Sequence, residues 1–149
     1  MGDISAFGTS VILVASETFP TVGIEIDEFA DDVDAIAFEP LQVGDHAMGL
    51  NGDLVTWSTP NAILMTIAVI PGGANDRNLS ILAEANRVGK GKRAVLDTIT
   101  GTKVAPGEEP VIYTNGKMIQ ATPSTGAQQG GRKGTKTFQF AFENKVGFD

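Results

Sequence analysis

The sequence predicts a mainly β fold: two packed antiparallel sheets, as a sandwich or barrel, with one flanking α-helix. Three observations carry this expectation. Short apolar runs alternate with Gly, Pro, Asn and Asp punctuation along the whole chain. A single stretch, near residues 75–88, has a helical apolar stripe. The last strand-like run places Phe138, Phe140 and Phe142 on one face at a period of two. At 149 residues the chain is expected to form one domain, 1–149, whose small polar residues 1–9 make a flexible arm.

Residues 10–16 read as a buried strand. Residues 21–27 alternate, with Val22, Ile24 and Ile26 on one face and Thr21, Gly23, Glu25 and Asp27 on the other. Residues 33–39 alternate again, with Ile36 and Phe38 together, so 21–39 is expected to be an antiparallel hairpin with carboxylates on its outer face. Residues 40–60 form a long irregular connection with a turn signal at Asn51-Gly52 and a strand candidate at 54–58. Its apolar residues, Trp57 among them, argue against disorder. Residues 61–70 are apolar on both faces, which predicts a strand covered on both sides. Pro71-Gly72-Gly73 breaks that strand. Asn75 or Asp76 is the expected helix N-cap, Leu79, Leu82, Ala83, Ala85 and Val88 the buried stripe, and Gly89 the residue beyond the C-terminus. Residues 93–99 return to strand. Residues 111–114 and 117–122 flank Asn115-Gly116, the signature of a two-residue hairpin turn. Residues 124–136 read as a mobile surface loop and 137–144 as the closing strand.

Charge is segregated along the chain. Twelve carboxylates and no Lys or Arg precede Arg77; from Arg77 onward eleven Lys and Arg face six Asp and Glu. Such segregation favours head-to-tail contact between copies and gives one surface a single-sign field. Zero cysteines exclude disulfides, thiolate metal sites and Cys nucleophiles. The longest apolar run, 62–70, is too short to span a bilayer, and no basic-then-apolar start announces a signal peptide.

No catalytic set emerges, and the chain is expected not to be an enzyme. His46, the sole histidine, has no nucleophile-elbow sequence to serve. Asp31, Asp32 and Asp34 lack the Gly and Glu positions of a calcium loop and read as a solvated turn. The Gly- and Lys-rich stretch 130–136 lacks the order of residues a phosphate loop needs. Neither a metal nor a cofactor is expected. The basic clusters Lys90, Lys92, Arg93 and Arg132, Lys133 sit in a chain with net charge −7, which opposes a DNA-binding role.

The order of elements resembles the tail tube proteins of contractile-tailed bacteriophages of the myovirus type. The resemblance is carried by the acidic segment 21–39, the long connection 40–60, the apolar strand 62–70 with helix 75–88, and the aromatic strand 137–144. It implies hexameric rings that stack into a tube inside a contractile sheath, with DNA passing through the lumen unbound. It implies tape-measure and baseplate partners, no membrane, and a place in the virion tail after assembly in the host bacterial cytoplasm. On this resemblance Glu25, Asp27 and Asp34 face the lumen. Gly44, His46, Leu50 and Trp57 lie on an inter-ring or inter-subunit loop. Lys90, Lys92, Arg93, Arg132 and Lys133 meet a neighbouring subunit or the sheath. Two other readings stay open: the tube of a related bacteriocin or type VI secretion machine, and a small β-barrel ligand binder.

Overall fold

Strand pairing sets the architecture. The computed structural model describes residues 8–30, 34–124 and 133–147. In chain order these hold β1 (Ser10–Ala15), β2 (Phe19–Ile26), β3 (Ile36–Phe38), β4 (Gly44–Met48), β5 (Leu54–Ser58), β6 (Ile63–Val69), α1 (Ala74–Asn86), β7 (Ile99–Val104), β8 (Val111–Ala121) and β9 (Lys136–Val146). Seven strands form one antiparallel sheet in the order β2-β1-β7-β8-β9-β6-β3, and β4 and β5 form a second. The mainly β fold with two antiparallel sheets and one helix is therefore the one the sequence predicts.

The large sheet is strongly curled without closing into a barrel. If it were flat, β2 and β6 would lie about 24 Å apart at the usual strand spacing. Yet Ile26 still pairs with Val11, and Phe29 already bridges to Val69 of β6. Three residues reach only about 11 Å, so the two sides of the sheet approach each other there. Phe38 on the β3 edge also stacks on Tyr113 of β8, ring centroids 5.4 Å apart, although two strands lie between. The concave face holds the core: Val11, Leu13, Ile24, Ile26, Met65, Ile67, Phe138, Phe140 and Phe142 are buried there, and α1 adds Leu79 and Leu82. Phe138, Phe140 and Phe142 share one face as their spacing predicts.

Four sequence expectations are corrected. First, β2 and β3 are not a hairpin; they occupy opposite edges of the sheet. Alternation assigns a strand its faces but not its partner. The backbone after β2 instead joins β6, through Ala30 N–H to the Ala68 carbonyl (3.0 Å) and Ile70 N–H to the Glu28 carbonyl (3.0 Å). Second, Asn115-Gly116 is not a turn but a bulge inside the continuous β8. Ile99 pairs with Gly116 while Gly101 pairs with Tyr113, so β8 has an extra residue opposite β7. Asn115 takes the left-handed conformation (φ 51°), which Asn tolerates better than most residues. Gly116 is needed because the Phe142 ring lies on it: a Cβ there would sit 2.3 Å from Phe142 Cδ1. The dipeptide's chemistry is that of a turn, and a packed ring recruits it for a bulge. Third, β7 begins at Ile99, and the region 93–98 is not a strand.

Fourth, the helix N-cap is Gly73, which offers no side chain. Its first turn is satisfied from elsewhere. Asn75 N–H donates to Glu28 Oε1 (3.2 Å) and Asn75 Nδ2 to Asp27 Oδ1 (3.1 Å). Carboxylates at this end also complement the helix dipole. Asp76 is buried and accepts from Gly72 N–H (2.8 Å), Ser80 Oγ (3.2 Å) and Lys136 Nζ (2.8 Å), which ties α1 to the start of β9. Burial alone would raise the Asp76 pKa; Lys136 and these donors outweigh it and hold it low. At the other end, Lys92 Nζ donates to the carbonyl oxygens of Glu84 and Arg87, closing the helix C-terminus.

Asp97 fixes that end of the helix to the sheet. It accepts from Glu17 N–H (2.7 Å), Thr18 N–H (2.9 Å) and Asn86 Nδ2 (2.8 Å), while its own N–H donates to Asn86 Oδ1 (2.9 Å). Burial pushes its pKa up, but the Thr18 hydroxyl, the Asn86 amide and the two backbone donors win and depress it.

Gly116→Ala overpacks the Phe142 contact and should cost about 1–3 kcal/mol, read as a lower urea midpoint at unchanged slope; an unchanged midpoint would show that the ring yields freely. Asp97→Ala strands several donors and should cost about 3 kcal/mol. Because the folded Asp97 pKa lies below its unfolded value, its contribution is complete above that unfolded value and fades as pH falls. Stability of the native chain should therefore drop below about pH 4, and Asp97→Asn should flatten that drop in pH-dependent thermal melts.

Candidate assembly surface

The segment expected to be irregular contains a regular hairpin. β4 and β5 pair in register from Gly44↔Ser58 to Met48↔Leu54, closed by Gly49 N–H to the Asp53 carbonyl (2.7 Å) with Gly52 at φ 87°. The Asn51-Gly52 turn signal is met here. The register places Asp45, Ala47, Val55 and Trp57 on one face and Gly44, His46, Met48, Leu54, Thr56 and Ser58 on the other. Every residue of both strands is exposed. Val43 (74%), Met48 (64%) and Leu54 (61%) stand in solvent, and Leu50 at the turn is fully exposed. An isolated two-stranded hairpin is marginally stable at best in water, and a cluster of exposed apolar side chains of this kind marks an interaction surface.

The other expected site residues scatter. Glu25 is exposed on β2, paired with Ile12 of β1. Asp27 is exposed too, but its carboxylate is engaged with Asn75 at the helix N-terminus. Asp34 is exposed ahead of β3, at the opposite edge from β2, so the three carboxylates do not line one hairpin. Gly44, His46 and Trp57 lie on the β4–β5 hairpin and Leu50 at its tip. His46 N–H donates to Asp45 Oδ1 (2.7 Å). Lys90, Lys92 and Arg93 sit on the connection from α1 to β7, where Lys92 closes the helix and Lys90 and Arg93 are exposed. Lys133 is exposed, while Arg132, Asp31, Asp32 and most of the arm 1–9 lie outside the described residues. Among the described residues no three His, Cys, Asp or Glu side chains gather as a metal-ligand set.

Sequence reasoning missed one feature altogether. Pairing of β7 with β8 ends at Ile99↔Gly116, but β8 continues to Ala121. On that side, among the described residues, 117–121 form an open strand edge. An open groove runs between it and α1, lined by Ala83, Arg87, Met118, Gln120, Ala121 and Pro123 among others. No local signal announces it, because the edge is defined by where a different strand stops.

Solved structures share this fold, and two of them do so over nearly their whole length. One is from the PVC sheath/tube terminator of an extracellular contractile injection system in its extended state (TM-score 0.57, 11% identity, covering 98% of this chain and 96% of that chain). The other is the tube terminating cap of the anti-feeding prophage (TM-score 0.54, 14% identity, covering 98% and 91%). At such identities the likeness is one of fold. No curated protein matches the sequence. The resemblance to phage tail proteins drawn from the order of elements is met at the level of a tail-related β fold: with a family model matched across residues 2–146, this chain belongs to the tail fiber protein gp32 family.

Proposed function

We propose that this chain is a structural subunit of a contractile phage tail, and that it assembles with copies of itself into a ring coaxial with the inner tube. The observation that carries this reading is the β4–β5 hairpin, whose apolar side chains stand in solvent on both faces and at the tip. A chain that keeps such a surface in isolation gains by burying it in an assembly. The family description names a tail protein, and the two structural likenesses come from a tube terminator and a tube cap, which favours a ring on the tube axis over a peripheral appendage. The subunit works by assembly and not by catalysis. DNA crossing the ring meets carboxylates such as Glu25, which repel phosphate where Lys and Arg would trap it.

Electron microscopy of the purified protein at high concentration should show rings or short tubes of uniform width. Trp57→Asp combined with Leu54→Asp should reduce these to monomers. Because both side chains are exposed, the unfolding free energy of the monomer should change by no more than exposed surface substitutions usually allow, about 0.5 kcal/mol each. Wild-type protein that stays monomeric, or a double variant that still forms rings, would overturn the reading.

A further inference from the structure

We propose that the hairpin of one copy adds to the open edge of β8 in the next, seated in the groove against α1. This rests on the reading that the chain assembles with copies of itself, and it names the surface that receives the hairpin.

Four observations meet at this pair of surfaces. First, among the described residues β8 from residue 117 to 121 has no strand on its β7 side, so alternate backbone N–H and C=O groups of that edge face the groove. Unpaired strand edges are templates for another chain. Second, the lengths agree. The open edge is five residues, from the end of β7 pairing at Gly116 to the end of β8 at Ala121. β4 and β5 are five residues each, and as the only members of their sheet each keeps one free edge. Third, both surfaces are apolar where they would touch. Met118, Ala83, Ala121 and Pro123 line the groove, and Ile119 on the edge is 46% exposed. The hairpin brings Leu54, Val55 and Trp57, which alternate to the two sides of β5 so that one set packs on the groove and the other covers it.

Fourth, the charges are opposite. Residues 40–60 carry Asp45 and Asp53 and no Lys or Arg. The groove is lined by Arg87 and Glu84, paired at 2.8 Å, and Lys92 lies 4.0 Å from Glu84, so two cations stand there against one carboxylate. The acid-first, base-later order of the sequence thus becomes a contact between one copy's hairpin and its neighbour's groove. Hairpin and groove are different surfaces, so the contact is heterologous, and repetition of a heterologous contact closes into a ring or runs on as a filament.

The absence of cysteine makes the test direct. Leu54→Cys, Thr56→Cys and Ser58→Cys are each made singly in the full chain, and each is mixed with a Gln120→Cys chain under mild oxidation. A disulfide needs the two Cα atoms within about 7 Å, so only a hairpin lying on the β8 edge can link. The expected result is a covalent dimer in at least one mixture, at ten times or more the yield of either variant alone. If micrographs of the mixtures show rings but no mixture links, the β8 edge is not the acceptor, another strand or surface holds it, and the inference falls while the ring reading stands. If the mixtures are monomeric and unlinked, both fall together.

Discussion

The contact of the Phe142 ring with Gly116 organises more of this molecule than any other. The ring lies where a side chain at 116 would be, and its far edge also meets the position a Cβ would take at Gly101, 3.2 Å from Cζ. β7 and β8 can both pass beneath one aromatic ring only because each offers a glycine. The same point in β8 carries the bulge at Asn115, which bends the strand and increases its twist. The curl of the sheet, the enclosure of the three-phenylalanine row and the end of β7 pairing at Gly116 all meet there. The open edge beyond Gly116 is therefore a consequence of how the core is packed, so the acceptor surface proposed above would be set by the interior of the subunit.

Charge shows a division of labour that composition hides. Several members of the acidic first half are consumed inside the subunit. Glu28 and Asp27 serve the N-terminus of α1, and Asp76 is buried with Lys136. A buried ion pair of this kind contributes little net stability, because desolvating both charges offsets most of their attraction; its value is in fixing one arrangement of helix on sheet. Asp97 does the same at the other end of α1 with neutral donors. Among the described residues, Glu17, Glu25, Asp34, Glu39, Asp45 and Asp53 are left on the surface, and the cations around the α1–β7 connection stand opposite them in sign. The residual surface segregation is smaller than the sequence suggests, and only Asp45 and Asp53 of it fall on the hairpin.

The hairpin and the sheet differ in what supports them. The curled sheet buries its own core and has a helix fastened at both ends. β4 and β5 hold each other through backbone pairing alone, with each strand exposed along its whole length. An element of this kind is at the low-stability end of a fold. That asymmetry, a self-sufficient body with a dependent arm, suits a part whose final structure is completed only in an assembly.

The fold class, the existence of α1, most strand positions and the burial of Phe138, Phe140 and Phe142 are legible in the sequence, because periodicity and punctuation are local properties. It also placed Asn51-Gly52 at a turn. It misjudged Asn115-Gly116, since left-handed backbone and a missing Cβ serve a hairpin turn and a bulge under an aromatic ring equally well, and only the position of Phe142 decides between them. It paired β2 with β3 because they are neighbours in the chain, whereas the curl of the sheet hands the end of β2 to β6. It expected the N-cap of α1 from Asn75 or Asp76, while the carboxylate that does the work comes from Glu28, forty-seven residues away from Asn75. The candidate assembly surface was half legible: Leu50 and Trp57 stood out as apolar residues in a long connection, but their exposure and the open edge of β8 are facts about what other segments leave uncovered, and only tertiary structure decides that.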